Sequence, residues 1–292
     1  MQSSSIKIDL VCKTKYNNNM PEFPEVYTIV ADLKKHLEGL LITNVATIDN
    51  YKIKCDAGLE DLEHSLYSKT INTIQQHGKY IFIDLGDTTI VIHLAMTGKL
   101  IIRSPGFRHD NHIRAVFTLS KNATKVELRF IDVRMFGKVM VLTKSNAQKI
   151  INKLGPNPLS ESLSLDNFHA IIKSKKTNIK NVLMDQEKIA GMGNVYVTDA
   201  LWLAKIHPLR PTNTITKDEA SRLLEACRTM LKEGIKNRGL TISDYVDAFG
   251  KPGMQQNHFK IYRQEKCSMC DTKTTVITIN TRTSYFCTIC QK

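Results

Sequence analysis

No run of about 18 apolar residues occurs anywhere in the 292-residue chain, which excludes a transmembrane helix. Arginine is missing from residues 1–19, so a transit peptide is not expected there. The short apolar patch in that stretch (Ile6, Ile8, Leu10, Val11) is broken by Lys7 and Asp9, which is no secretory core. Residues 1–19 therefore read as a tail or a mis-assigned start, with Met20 as an alternative initiator. Acid is scarce: 28 Asp and Glu stand against 41 Lys and Arg, a net charge of +13. Such an excess draws polyanions, nucleic acid first among them. An anionic membrane would need a basic amphipathic helix with a bulky apolar face, and none is visible. Plain solubility charge is the bland alternative. The seven cysteines are an odd number without a signal peptide, which argues against a disulfide framework and for a reducing compartment.

What is present falls into three stretches. Val26, Ile29, Val30, Leu33 and Leu37 recur at helical spacing from Pro24, with Glu22 and Glu25 at the positive end and Gly39 as a stop. Eight short segments follow that are rich in Val, Ile, Phe and Thr: 42–48, 71–75, 80–85, 89–94, 99–103, 113–119, 125–131 and 138–142. They have the punctuation of an antiparallel β-sandwich or barrel. Gly155-Pro156-Asn157-Pro158 breaks the pattern. Beyond it the chain reads as helices over 166–173, 179–186, 194–204 and 217–236. The expected class is α+β: residues 20–143 as a helix plus antiparallel β-sandwich, 144–158 as a hinge, 159–260 as a helical domain and 261–292 as a cysteine finger. A cleft between two domains in a basic protein suits a DNA channel.

Cys267-x-x-Cys270 and Cys287-x-x-Cys290 are two knuckles on either side of two strand-like segments, 274–280 and 283–286. Each knuckle puts two thiolates on one turn, and the hairpin brings the turns together around one structural Zn2+. A disulfide pair and an iron–sulfur cluster are the other readings. Arg282, at the tip of that hairpin, suits a phosphate clamp or is a solvated turn residue. Ala190-Gly-Met-Gly-Asn194 opens a helix, where backbone N–H groups can approach an anion or simply cap the turn. Lys175, Lys176 and Lys180 precede it as further phosphate candidates. Met20-Pro21-Glu22 adds another possibility. A proline exposed by loss of Met20 is a secondary amine, whose iminium has no N–H to lose and persists as an electron sink. An adjacent carboxylate can move protons. The bland reading is a proline-rich helix start.

Met20-Pro-Glu-Phe-Pro-Glu-Val26 resembles the N-terminal motif of the formamidopyrimidine-DNA glycosylase and endonuclease VIII family. So do Gly78-Lys79-Tyr80, Ile92-His-Leu-Ala-Met-Thr-Gly98, Asp132-Val-Arg-Met-Phe-Gly137, Leu154-Gly-Pro-Asn-Pro158, Gly193-Asn-Val-Tyr196, Ile206-His-Pro208, Gly250-Lys-Pro-Gly253 and the four cysteines, from Met20 to Lys292 in order. The resemblance implies a helix–two-turns–helix element in the helical domain and a zinc finger after it. It implies that Pro21 is the Schiff-base nucleophile and Glu22 the acid/base at the sugar. Lys79 would assist β-elimination and bind phosphate, and Arg282 would serve δ-elimination and phosphate. Asn194, Lys175, Lys176 and one of His109 and His112 would meet the DNA backbone. Met96, Arg134 and Phe136 would fill the void left by a flipped base.

Phe23, the complete trio and Gly250-Lys-Pro-Gly253 place the chain nearer the formamidopyrimidine branch. The expected activity is excision of oxidised purines (8-oxoguanine, formamidopyrimidines) in base-excision repair, with strand nicking by β,δ-elimination and no redox cofactor. The expected partner is double-stranded DNA with oxidised bases or abasic sites, bound by a monomer, away from membranes. The expected location is intracellular, with DNA in cytoplasm and nucleoid or in the nucleus, and not secreted. The alternatives are an endonuclease VIII-like preference for oxidised pyrimidines, or a blocked damage-binding protein if the tail is retained. Two departures stand out. Met135 occupies a position where the family often has a second arginine. His109-Asp-Asn-His112 is one residue longer than the family's pattern, so which histidine meets phosphate is open.

Overall fold

The computed structural model describes residues 20–59 and 61–292; the reading of residues 1–19 lies outside them. Helix α1 (Phe23–Leu37) starts at a reciprocal cap, in which the Glu22 and Glu25 side chains accept each other's backbone N–H. It ends before Gly39, whose φ of 82° lets the chain turn away. Then follow β1 (Leu41–Thr47), β2 (Lys54–Cys55), α2 (Leu62–Leu66), β3 (Thr73–His77), β4 (Tyr80–Asp84), β5 (Thr88–His93), β6 (Gly98–Arg103), β7 (Ile113–Lys121), β8 (Thr124–Asp132) and β9 (Lys138–Thr143). They form a four-stranded sheet, β1-β7-β8-β6, and a five-stranded sheet, β2-β9-β5-β4-β3. The eight expected strands are present. The antiparallel rule has one exception, the two-residue β2, which runs parallel to β9.

The period-2 pattern of strands explains how the second sheet is covered on both sides. Ile81, Ile83, Ile90 and Ile92 point into the sandwich core with Phe117, Leu128 and Phe130 of the other sheet. Phe82 and Val91 point the other way, onto Ala147, Ile150 and Ile151. Those last residues belong to α3 (Lys144–Lys153), a helix inside the expected hinge. Each fully buried Ile or Phe contributes about 1.5–3 kcal/mol.

The helical half contains α4 (Leu165–Lys173), α5 (Ile179–Met184), α6 (Asn194–Leu203) and α7 (Lys217–Lys236). Helix α6 is buried almost all round and forms the centre of the second core with α7 and Phe23. Phe23 thus anchors in the helical core while the rest of α1 lies in the sandwich. The halves are joined again by residues 238–250. Ile102 N–H donates to the Ala248 carbonyl at 2.8 Å, and Arg238 reaches both Asp32 and Asp247 at 2.6 Å. Tyr245 and Ala248 belong to the sandwich core, although sequence placed them in the helical domain. Finally β10 (Thr275–Ile279) and β11 (Arg282–Phe286) make an antiparallel hairpin. Its turn is Asn280-Thr281, both at positive φ, so Arg282 opens β11 opposite Ile279 and is not the tip itself.

Candidate active site

Pro21 is buried and immediately precedes α1. The start of α1 meets the β3–β4 turn and the loop before α6. Phe23 N–H donates to the Gly191 carbonyl at 3.0 Å, and Gln76 Nε2 donates to both the Phe23 and Gly78 carbonyls. Those bonds tie the start of α1 to the turn that carries Lys79. Glu22, 4% exposed, sits against the N-terminus of α6 and accepts from Val195 N–H at 3.2 Å. A Cβ at 193 would lie 2.2 Å from Glu22 Cδ, so a larger residue there would displace the carboxyl from the α6 N-terminus.

Burial raises the Glu22 carboxyl above its ordinary range, opposed by the Lys79 ammonium and the α6 backbone N–H groups. Burial likewise lowers Lys79, which is 7% exposed, while Glu22 and Glu25 pull it back up. Buried side-chain atoms without a hydrogen-bond partner among the described residues include Gln76 Oε1, His77 Nε2 and Thr274 Oγ1 and, at this site, Glu22 Oε2 and Asn194 Oδ1. The last two belong to neighbouring groups, since Glu22 Oε1 is bonded to the residue after Asn194. Native proteins seldom leave such atoms unmatched, except where a ligand or water completes them. Asn194 Nδ2 donates to the Thr283 carbonyl at 3.0 Å, which brings the exposed Arg282 to the same region.

Two groups near the site, Glu25 and His93, were not named as site residues from sequence. Glu25 accepts from Glu22 N–H, Tyr196 hydroxyl and Leu240 N–H, and burial pushes its carboxyl up to about 7. His93 is driven down to about 4 by burial and by Lys79 and Lys138. Lys180 is the clear correction. At 1% exposure it cannot meet a phosphate; its ammonium donates to Ser284 Oγ at 2.6 Å instead. Lys175 is half-exposed and paired with Asp185 at 2.6 Å, and Lys176 is exposed.

The three residues expected to fill the void, Met96, Arg134 and Phe136, lie together. Arg134 lies 4.8 Å over the Phe136 ring, and its Nη1 is 3.7 Å from Met96 Sδ. Their loop hangs on Asp132, which is fully buried. Its carboxylate accepts from Thr97 Oγ1, Arg134 N–H and Gly137 N–H, and its carbonyl accepts from Arg114 Nε. The side chains of Met135 and Phe136 stay 50% and 51% exposed. Of the two histidines, His112 adjoins this loop: its carbonyl accepts from Asp132 N–H at 3.1 Å. His109 packs edge-on against Phe107, 5.5 Å away.

The four cysteine sulfurs lie within 4.8 Å of one another and could hold one metal ion. Cys267 Sγ is 3.9 Å from Cys290 Sγ, and Cys270 Sγ is 3.4 Å from Cys287 Sγ. These gaps exceed the roughly 2.05 Å of a disulfide. Trp202 of α6 donates its indole N–H to Cys267 Sγ at 3.2 Å and packs with Ile261 and Cys287, which fastens the cluster to the helical core.

Two family models match the chain: the formamidopyrimidine-DNA glycosylase N-terminal domain over residues 20–139 and the formamidopyrimidine-DNA glycosylase H2TH domain over residues 154–246. The formamidopyrimidine-DNA glycosylase of Herpetosiphon aurantiacus is 35% identical over 93% of this chain and 100% of its own length. That of Desulforamulus reducens is 37% identical over 94% of this chain and 99% of its own. Among solved structures, the Lactococcus lactis Fpg in complex with Fapy-dG-containing DNA superposes with a TM-score of 0.82 at 30% identity, covering 93% of this chain and 100% of that one. The Lactococcus lactis Fpg in complex with abasic-site DNA gives 0.83 at 31% identity, with 93% and 99% coverage.

Proposed function

The chain belongs to the formamidopyrimidine-DNA glycosylase family, and from that premise we infer that it is a base-excision-repair glycosylase and abasic-site lyase working through the amine of Pro21. It removes oxidised purines from double-stranded DNA and nicks the strand. The observation that carries the mechanism is the buried, partnerless Glu22 Oε2 beside Pro21, with Lys79 as its nearest electrostatic opponent.

The nucleophile requires a chain that begins at Pro21, because an amide nitrogen has no lone pair to give. The free amine attacks C1′ of the flipped nucleotide, and the bond to the base breaks with its electrons leaving on the base, which takes up a proton. Glu22, whose protonated form burial favours, gives its proton to the sugar ring oxygen as the C1′–O4′ bond opens. The nitrogen lone pair then forms the iminium, which stays charged. That sink lets a proton leave C2′ as the 3′ phosphate departs, with Lys79 assisting. A second proton then leaves C4′ as the 5′ phosphate departs, with Arg282 holding phosphate. Asn194 and His112 hold the backbone, and so do Lys176 and Lys175, the latter once released from Asp185. Met96, Arg134 and Phe136 occupy the gap in the duplex.

The metal in the finger is zinc. Four thiolates are a soft, closed set, and a tetrahedron with bonds of about 2.3 Å has edges of about 3.8 Å, close to the sulfur spacings given above. Its work is structural, since four protein ligands leave no open position.

A duplex with 8-oxoguanine opposite cytosine tests this reading under single turnover. The expected product is a one-nucleotide gap with phosphate at both ends. Faster cutting of a duplex carrying an oxidised pyrimidine would move the chain to the endonuclease VIII-like reading. Binding without cutting would make it a damage-binding protein.

A further inference from the structure

We propose that Lys180 is a positioning residue that locks the cysteine hairpin against α5 and α6, and so places Arg282 for the second elimination. The proposal rests on the Pro21 chemistry above. The Lys180 ammonium has three N–H groups and three acceptors: Ser284 Oγ at 2.6 Å, Thr198 Oγ1 at 3.4 Å and the Thr283 carbonyl at 3.5 Å. Those acceptors lie on α6 and β11, and Lys180 itself is on α5. One side chain thus joins three elements.

Arg282 is exposed, so its backbone anchor decides where the guanidinium reaches. That anchor is built from the next two residues. The Thr283 carbonyl receives Lys180 and Asn194 together, and Ser284 Oγ passes the contact on to the Arg282 carbonyl at 3.5 Å. In the turn, Asn280 Nδ2 donates at 2.9 Å to Asn181, the residue after Lys180. The hairpin therefore docks on the start of α5 through β11 and through its turn. The other charged groups acting on Lys180 are Glu22, which attracts it, and Arg282, which repels it. Glu22 acts on Lys180 through charge, whereas the hydrogen bonds go to α6 and the hairpin. Burying an ammonium is costly unless its partners are well placed. A methionine would fill the same space without that cost and without the link.

Lys180→Met and Ser284→Ala, each made in the chain that begins at Pro21, test the link on abasic-site DNA, which needs no base release. Product ends are separated into those from β-elimination alone and those from β,δ-elimination, with metal content and borohydride trapping measured alongside. Losing hydrogen bonds from a charged donor is expected to raise the β-only fraction roughly tenfold in Lys180→Met. Ser284→Ala should shift it in the same direction by less, and both variants should keep their metal. A wild-type ratio of products in both variants would overturn the proposal. Should Lys180→Met lose its metal, Ser284→Ala decides alone, and an unchanged ratio there overturns it equally. No trapping by the wild type would overturn the Pro21 chemistry first, and the role of Lys180 with it.

Discussion

The pocket beside Pro21 and the loop on Asp132 break the usual rules of a protein surface in opposite senses. In the pocket, charged groups are buried and polar atoms are left without partners: Glu22, Lys79 and Lys180 lie inside, and Glu22 Oε2, Gln76 Oε1 and Asn194 Oδ1 have no hydrogen-bond partner. On the loop, apolar groups are held out in solvent: Val133, Met135 and Phe136 are all exposed around Arg134. Soluble proteins tend to bury the second kind of group and satisfy the first. Both exceptions are held rigidly. Glu25 and Gly193 brace the pocket, and the Asp132 carboxylate braces the loop. The two regions are complementary halves of one expectation, in which a polar sugar–phosphate completes the pocket and an opened base stack receives the loop.

The largest way to break the pocket is Glu22→Gln. It keeps the size and removes the transferable proton, so single-turnover base release should fall by roughly 10²–10⁴. Release within a factor of about three of wild type would remove Glu22 from the chemistry. Next is Cys287→Ser, which should lose zinc and most nicking, because the hairpin that carries Arg282 depends on the cluster. A metal-free variant that nicks normally would contradict this. The loop is tested more finely. Arg134 can donate two parallel hydrogen bonds to the O2 and N3 acceptors of an unpaired cytosine, whereas adenine presents a donor where an acceptor is needed. An unmatched buried donor costs about 1–3 kcal/mol, so excision opposite cytosine should exceed that opposite adenine by roughly ten- to hundredfold. Arg134→Ala should shrink the ratio, and equal rates in the wild type would show that Arg134 does not read the opposite base.

The smallest expected effect is a pH shift. Glu22 donates its proton only while protonated, so base release should decline as pH rises through its elevated pKa. Lys79 favours the charged form. Lys79→Ala therefore raises that pKa further and moves the falling limb to higher pH. A limb that stays put or moves down would contradict the assignment.

The strands and helices with a clear period were legible in the sequence, and α7 was read to its observed bounds. β2 and α2 were not, because two and five residues carry no period. α3 was overshadowed by the Gly155–Pro158 breaker, although Ala147, Ile150 and Ile151 share one face. The motifs marked the site residues but not their burial. Lys180 read as a phosphate ligand like Lys175 and Lys176, and only the fold shows it enclosed between α6 and β11. The contact of Glu22 with Val195 spans 173 positions, a distance over which local pattern carries no signal. Tyr245 and Ala248 join the sandwich core from a stretch that follows the helices in sequence, again with no local signal for it.

The central claim is that Pro21, as a free secondary amine, is the nucleophile. Borohydride reduction of the protein mixed with abasic-site DNA, followed by mass mapping of the adduct, tests it directly. The account expects a covalent complex whose protein begins at Pro21, with the DNA fragment on that residue. A complex formed through a lysine, in a protein that still carries Met1–Met20, would contradict it.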